Sequence, residues 1–189
     1  MKFPSAQLKK GFTLIELIVV IAVIGVLAAV VIAAINPLEQ LAKSEDAGRR
    51  SSVAQLAKAM DAYVANLGTG LYPALSATWQ NTYIGLAGTN DIKQVIIQPT
   101  QTDACIPANG SAMANGGYCY SPIGIAPNTT DAIIWVPAES DSERVKAGCL
   151  ASETAIIAWV ASLGRTGVGC QATAQIGNTV PTFTSATLK

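Results

Sequence analysis

Hydrophobic and polar positions fall into three regimes along the chain. Leu17 to Ile35 is an apolar run of nineteen residues without a charge. At about 1.5 Å per helical residue it matches a hydrocarbon core of about 30 Å, so the pattern predicts a membrane-spanning helix. After Asn36-Pro37, apolar residues return at spacings of three and four: Val53, Leu56, Met60, Val64 and Leu67, with Tyr63 beside them. Arg49, Arg50, Lys58 and Asp61 fill other faces. This is the period of an amphipathic helix with one face on a core. Pro37 lacks an N–H and its ring crowds the carbonyl of Ala33, so a kink or melted turn is expected there. Gly68, Gly70 and Pro73 in "NLGTGLYP" stop the helix.

The third regime is a series of short runs. "GGYCYS", "DAIIWVP" and "TAIIAWVAS" are rich in β-branched and aromatic residues and predict an antiparallel meander. "KQVIIQP" predicts an edge strand or short helix ended by Pro99. "VPAESDSERVKAG" reads as a charged hairpin or loop, and "ANGSAMANGG" and the Thr/Ser-rich segment from Gln171 as low-complexity loops that reach the surface. Trp135 and Trp159 are expected between sheet and helix. The fold class is α+β: a long N-terminal helix, membrane-spanning in its first half, packed on a small antiparallel sheet.

Charge gives the span a direction. Lys+Arg and Asp+Glu are 12 each, but Lys2, Lys9 and Lys10 precede the run with no acidic residue among them. By the positive-inside rule the N-terminus lies in the cytoplasm and the remainder outside. From Phe12 onward the balance is 9 basic to 12 acidic, which offers no basic patch for nucleic acid. A secretory signal peptide fits poorly, because its apolar region is about 7–15 residues long and ends in a small-x-small cleavage site. Within the span, Gly25, Ala29 and Ala33 recur every fourth residue, with Ala22 near the same face. Small residues at that spacing let helix backbones approach closely in an apolar medium.

Candidate chemistry is sparse. The chain has no histidine, which excludes His-dependent triads and His metal ligands. Gly-Arg-Thr-Gly-Val-Gly around Arg165 is a poor phosphate loop. No catalytic residue, metal or cofactor is expected. Cys105, Cys119, Cys149 and Cys170 all follow the span, an even count without a C-x-x-C pair, which suits disulfides in an oxidising compartment. Four cysteines allow three pairings, of which the local ones, 105 with 119 and 149 with 170, are the simplest. Asn109-Gly110-Ser111 and Asn128-Thr129-Thr130 match a glycosylation pattern too short and frequent to assign glycans. The anomaly is Glu16, a carboxylate at the head of the run, where such a group costs a few kcal/mol and usually has a partner.

"KKGFTLIE" followed by the apolar run resembles the class III signal of type IV pilins and pseudopilins: a short basic leader, Gly11, Phe12, and Glu16 five residues after the glycine. The resemblance implies cleavage between Gly11 and Phe12 by a prepilin peptidase and methylation of the Phe12 amine. It also implies that Glu16 meets the Phe12 amine of a neighbouring subunit during assembly. The implied domains are a leader (1–11), an assembly helix (12–35), an amphipathic helix (36–67) and a β-rich head (68–189). The implied function is a structural subunit of a type IV pilus, major or minor. It waits in the inner membrane and then polymerises with copies of itself, through an assembly platform protein, into an extracellular fibre for adhesion, motility or DNA uptake. A 149–170 bridge resembles the disulfide that closes the C-terminal region of many such pilins. The alternatives are a pseudopilin of a type II secretion or competence system and, outside the family, a membrane-anchored binding protein.

Overall fold

The computed structural model describes residues 11–76, 78–85, 88–97, 113–115, 117–123, 129–172, 181–184 and 187–189. The chain divides into two compact units, Met1–Gln40 and Leu41–Lys189.

The first unit holds α1 (Leu14–Ala34) and the start of α2 (Pro37–Leu67). Between the helices the backbone is broken. Ile35 is extended, with its N–H still bonded to the Val31 carbonyl at 3.1 Å. The Asn36 side-chain oxygen accepts from the Glu39 N–H at 3.3 Å, and Pro37 opens α2. Pro37 therefore avoids the helix interior and takes the first helical position, where a missing N–H costs nothing and a fixed φ helps.

In the second unit, α2 buries Val53, Leu56, Ala57, Ala59 and Met60. The packing face ends earlier than its spacing suggests: Val64 is half-buried and Leu67 exposed. Gly68 and Gly70 both take positive φ, near 65°, at the helix stop, a conformation that costs glycine little. A π-helical turn, Gln80–Ile84, follows. The Gln80 amide is buried, donating to the Ile96 carbonyl at 3.2 Å and accepting from the Ile96 N–H at 2.9 Å. Residues 93–97 are thus neither the strand nor the helix their composition suggests, because one side chain satisfies the backbone groups a neighbouring strand would use. Pro99 lies outside the described residues.

The sheet is an antiparallel meander of β1 (Met113–Asn115), β2 (Tyr118–Ile123), β3 (Asp131–Pro137), β4 (Glu153–Val160) and β5 (Arg165–Ala172), paired in that order. One strand arises where the pattern predicts a loop, and another in a run for which, before Gln171, it predicts no element. β1 lies inside "ANGSAMANGG", and β5 spans the glycine-rich run, pairing along its whole length from Val160↔Arg165 to Glu153↔Ala172. β3 and β4 alternate between two buried faces, which is why they read as continuous apolar runs. The inner face, with Tyr120, Ile134, Ile157 and Trp159, packs on α2. The outer face carries Cys119, Ile133, Trp135, Ile156, Ala158 and Val160. Trp135 therefore does not lie between sheet and helix. Register pairs Ile134 with Trp159, and Trp135, one residue along, must point the other way.

"VPAESDSERVKAG" contains α3 (Asp141–Ala147), where a loop was expected. Ser140 caps it, accepting from the Glu143 N–H at 3.3 Å, and Gly148 closes it in the left-handed region. Arg49, which helical spacing places away from the core, is only 2% exposed, as is Asp46. Arg49 Nη1 donates to Asp46 Oδ1 at 2.9 Å, and Nη2 to Glu139. The Asp46 carboxylate also accepts the backbone N–H of Glu139 at 2.9 Å and of Ser140 at 2.8 Å. This network clamps α2 to the β3–α3 turn. Arg50 reinforces it with a 2.6 Å bond to Glu143 on α3.

Candidate assembly segment

α1 is built almost wholly from residues that water excludes, and all its described side chains are exposed. The stretch Leu14–Ile32 is long and apolar enough to cross a membrane, and within the chain it is 0% buried. Sixteen large apolar side chains from Phe12 to Ile35 are 48–89% exposed. At about 1.5–3 kcal/mol for burying each such side chain, leaving them in water costs on the order of 30 kcal/mol. That exceeds the whole stability of a typical domain, about 5–15 kcal/mol. The surface needs a cover of lipid or protein.

The start of α1 is ordered by a reciprocal cap. Thr13 Oγ1 accepts from the Glu16 N–H at 3.3 Å, while Glu16 Oε2 accepts from the Thr13 N–H and the Thr13 hydroxyl, both at 2.8 Å. A hydroxyl residue followed three positions later by glutamate is the sequence signature of this arrangement. Both donors converge on Oε2, and among the described residues no donor is seen at Oε1. Glu16 is thus held in one position. Phe12 precedes the cap and is 89% exposed, and a Cβ added at Gly11 would meet nothing within 4 Å. Residues 1–10 lie outside the described residues.

Of the small residues in the span, Gly25 has open space around it, and Ala22 and Ala29 are exposed. The side chain of Ala33 is outside the described set. Gly25 and Ala29, four apart, share a face, so the backbone there is accessible to a second helix.

A disulfide joins Cys149, after α3, to Cys170 on β5, with Cα atoms 5.3 Å apart. Cys119 on β2 is also disulfide-bonded. Cys105 lies outside the described residues, as do Asn109 and Asn128 of the two glycosylation patterns. The Glu153 carboxylate lies close to the sulfurs of Cys149 and Cys170. Both sulfurs are consumed in the bridge, so the cluster offers no thiolate to a metal.

Electrostatics outside the span concern structure. A hydrogen bond to Glu139, with burial adding to it, raises the Glu45 carboxyl above the usual carboxylate range. Burial raises Asp61, opposed by the 3.0 Å bond it accepts from the Tyr72 hydroxyl. Burial and Asp61 push the Tyr72 hydroxyl well above its ordinary value.

Residues 7–32 match the model of the prokaryotic N-terminal methylation motif. The chain is similar to a fimbrial protein of Neisseria meningitidis, 35% identical over 99 residues, which span 50% of this chain and 50% of that relative. The match thus covers about half the length of each. No solved structure matches. The motif coincides with the capped, uncovered start of α1, and the described residues beyond α1 form a helix on an antiparallel sheet. The chain carries a prepilin-type N-terminal methylation motif and is similar over about half its length to a fimbrial protein.

Proposed function

We propose that the chain is a structural subunit of a type IV pilus, stored in the inner membrane through α1 and polymerised into an extracellular fibre. The observation that carries this reading is the uncovered apolar surface of α1 behind a carboxylate fixed at its head. Lipid covers that surface in the stored subunit, and α1 helices of other copies cover it in the fibre. Cleavage after Gly11 removes residues 1–11 and leaves Phe12 with an amino group, methylated, about one helical turn from Glu16. An ammonium and a carboxylate attract strongly in a low-dielectric bundle, and either alone there is costly. Glu16 Oε1 is the acceptor for the Phe12 amine of a neighbouring copy, which selects processed subunits and sets axial register. Contacts of this head-to-tail kind do not close on themselves and build a filament.

The Cys149–Cys170 bridge favours this reading over a secretion pseudopilin, whose heads usually lack disulfides. The test is electron microscopy of fibres sheared from cells expressing the chain, with the mass spectrum of their subunit. Fibres whose subunit begins at methylated Phe12 support the proposal. A surface protein retaining Lys9-Lys10-Gly11, with no fibres, would replace it with a plain membrane anchor.

A further inference from the structure

The outer face of the sheet is closed by a separable piece of chain. Two outward positions of β5, Gly167 and Gly169, are glycines without positive φ, so their lack of a side chain serves a close approach rather than a turn. A Cβ at Gly169 would stand 2.1 Å from the ring of Phe183, and one at Gly167 would stand 2.7 Å from Leu188 Cγ. Between them Val168 exchanges both backbone bonds with Lys189, its N–H to the Lys189 carbonyl at 2.6 Å and its carbonyl from the Lys189 N–H at 2.8 Å. Arg165 adds a bond from Nη2 to the Leu188 carbonyl. A turn shapes the segment for this seat: the Thr184 carbonyl accepts from Thr187 and Leu188 N–H at 3.1 and 3.0 Å.

Two apolar knobs in glycine-floored holes and a paired backbone, all on β5, are the elements of strand addition to a sheet edge. Leu188 is 1% exposed. Among the described residues, Leu188, Phe183, Ile123 and Leu163 border the apolar outer face around Trp135 and Ile156. Removing the segment bares both apolar surface and a free strand edge, a ready template for another chain.

We propose that the β5 groove is a strand-docking site whose occupant, residues 183–189, is exchangeable between copies, so that in an assembly the segment of one chain seats on β5 of a second. The backbone, Arg165 and glycine contacts of the segment are made to Arg165, Gly167, Val168 and Gly169, and are equally available in cis and in trans. Exchange of an identical element is a low-cost route to association. The connecting residues 173–180 can span at most about 29 Å when extended, which limits exchange to adjacent copies. The proposal takes from the pilus reading only that copies lie side by side. Its test is made in detergent solution, where failure leaves the fibre claim standing.

Two differently tagged full chains are compared: one lacking residues 181–189, with an empty groove, and one carrying Gly169→Val, with a blocked groove and a free segment. Both retain α1, so pairs of like variants measure association through that helix. The mixed pair should co-purify at least about ten-fold above either like pair. Equal recovery from all three pairs, with circular dichroism and the Cys149–Cys170 bridge intact, overturns the proposal. If the shortened chain does not fold, a protease site is placed within 173–180 of the full chain, cut, and challenged with fluorescent peptide 181–189. Saturable replacement of the cut segment supports the proposal. A segment that never exchanges, or that leaves and is not replaced, overturns it.

Discussion

Arg49→Met should be among the most damaging single changes outside the assembly helix. Methionine keeps much of the side-chain volume and removes the guanidinium from a site only 2% exposed. It leaves the equally buried Asp46 carboxylate with two backbone N–H donors and without the Arg49 guanidinium, and takes the same guanidinium from Glu139. Removing one member of a buried pair costs about 3–5 kcal/mol because the charge left behind stays desolvated. With a urea m-value of about 1–3 kcal/mol per molar, the midpoint should fall by at least about 1 M. The assay is urea unfolding of the detergent-solubilised chain, followed by tryptophan fluorescence, with Trp159 reporting on the inner face against α2. A loss below about 1 kcal/mol, the scale of an exposed ion pair, would refute the claim that the network clamps α2 to the β3–α3 turn.

Three further outcomes are expected. Replacing Cys149 and Cys170 with serine releases a loop of sequence separation 21, and the chain-entropy relation gives a loss of about 3 kcal/mol; an unchanged unfolding midpoint would contradict it. Glu45→Gln should remove a stabilising contribution that is present in acid and fades as pH rises. The Glu45 carboxyl is raised in the folded chain, so its stabilising contribution is complete below the ordinary carboxylate value and is lost as pH rises through the raised one; identical slopes for variant and parent would count against the raised Glu45 carboxyl. Gly11→Val meets no steric obstacle in the chain, so it should fold and insert yet accumulate as precursor on immunoblots, and normal processing would reject the assigned cleavage site.

What the sequence made legible followed from periodicity and local chemistry. The apolar run, the α2 core positions Val53, Leu56 and Met60, and β3 over Asp131–Pro137 all carry their partners' constraints in their own residues. Where the pattern misled, the cause was a distant partner. The glycines of β5 answer to Phe183 and Leu188, and Arg49 looks like a surface cation because Glu139, which joins Asp46 in burying it, lies about 90 residues away. The segment at 93–97 lost its strand to the Gln80 side chain. α3 was readable after all: Ser140 and Glu143 stand three apart ahead of Gly148, a cap-and-stop signal outweighed by a polar surface with little apolar period. At the assembly segment the local motif named Phe12 and Glu16. The reciprocal cap with Thr13 explains how the Glu16 carboxylate is held in place.

The central claim is that Glu16 serves assembly rather than insertion, and the yield of sheared fibres from cells expressing only Glu16→Ala tests it. Removing the carboxylate relieves a desolvation cost at the bilayer edge, so insertion and cleavage after Gly11 should persist. The Phe12 amine of each added subunit would then enter the bundle unpaired, a penalty of about 3–5 kcal/mol at every addition. The account predicts mature, membrane-held subunit with few or no fibres, and a wild-type fibre yield would contradict it.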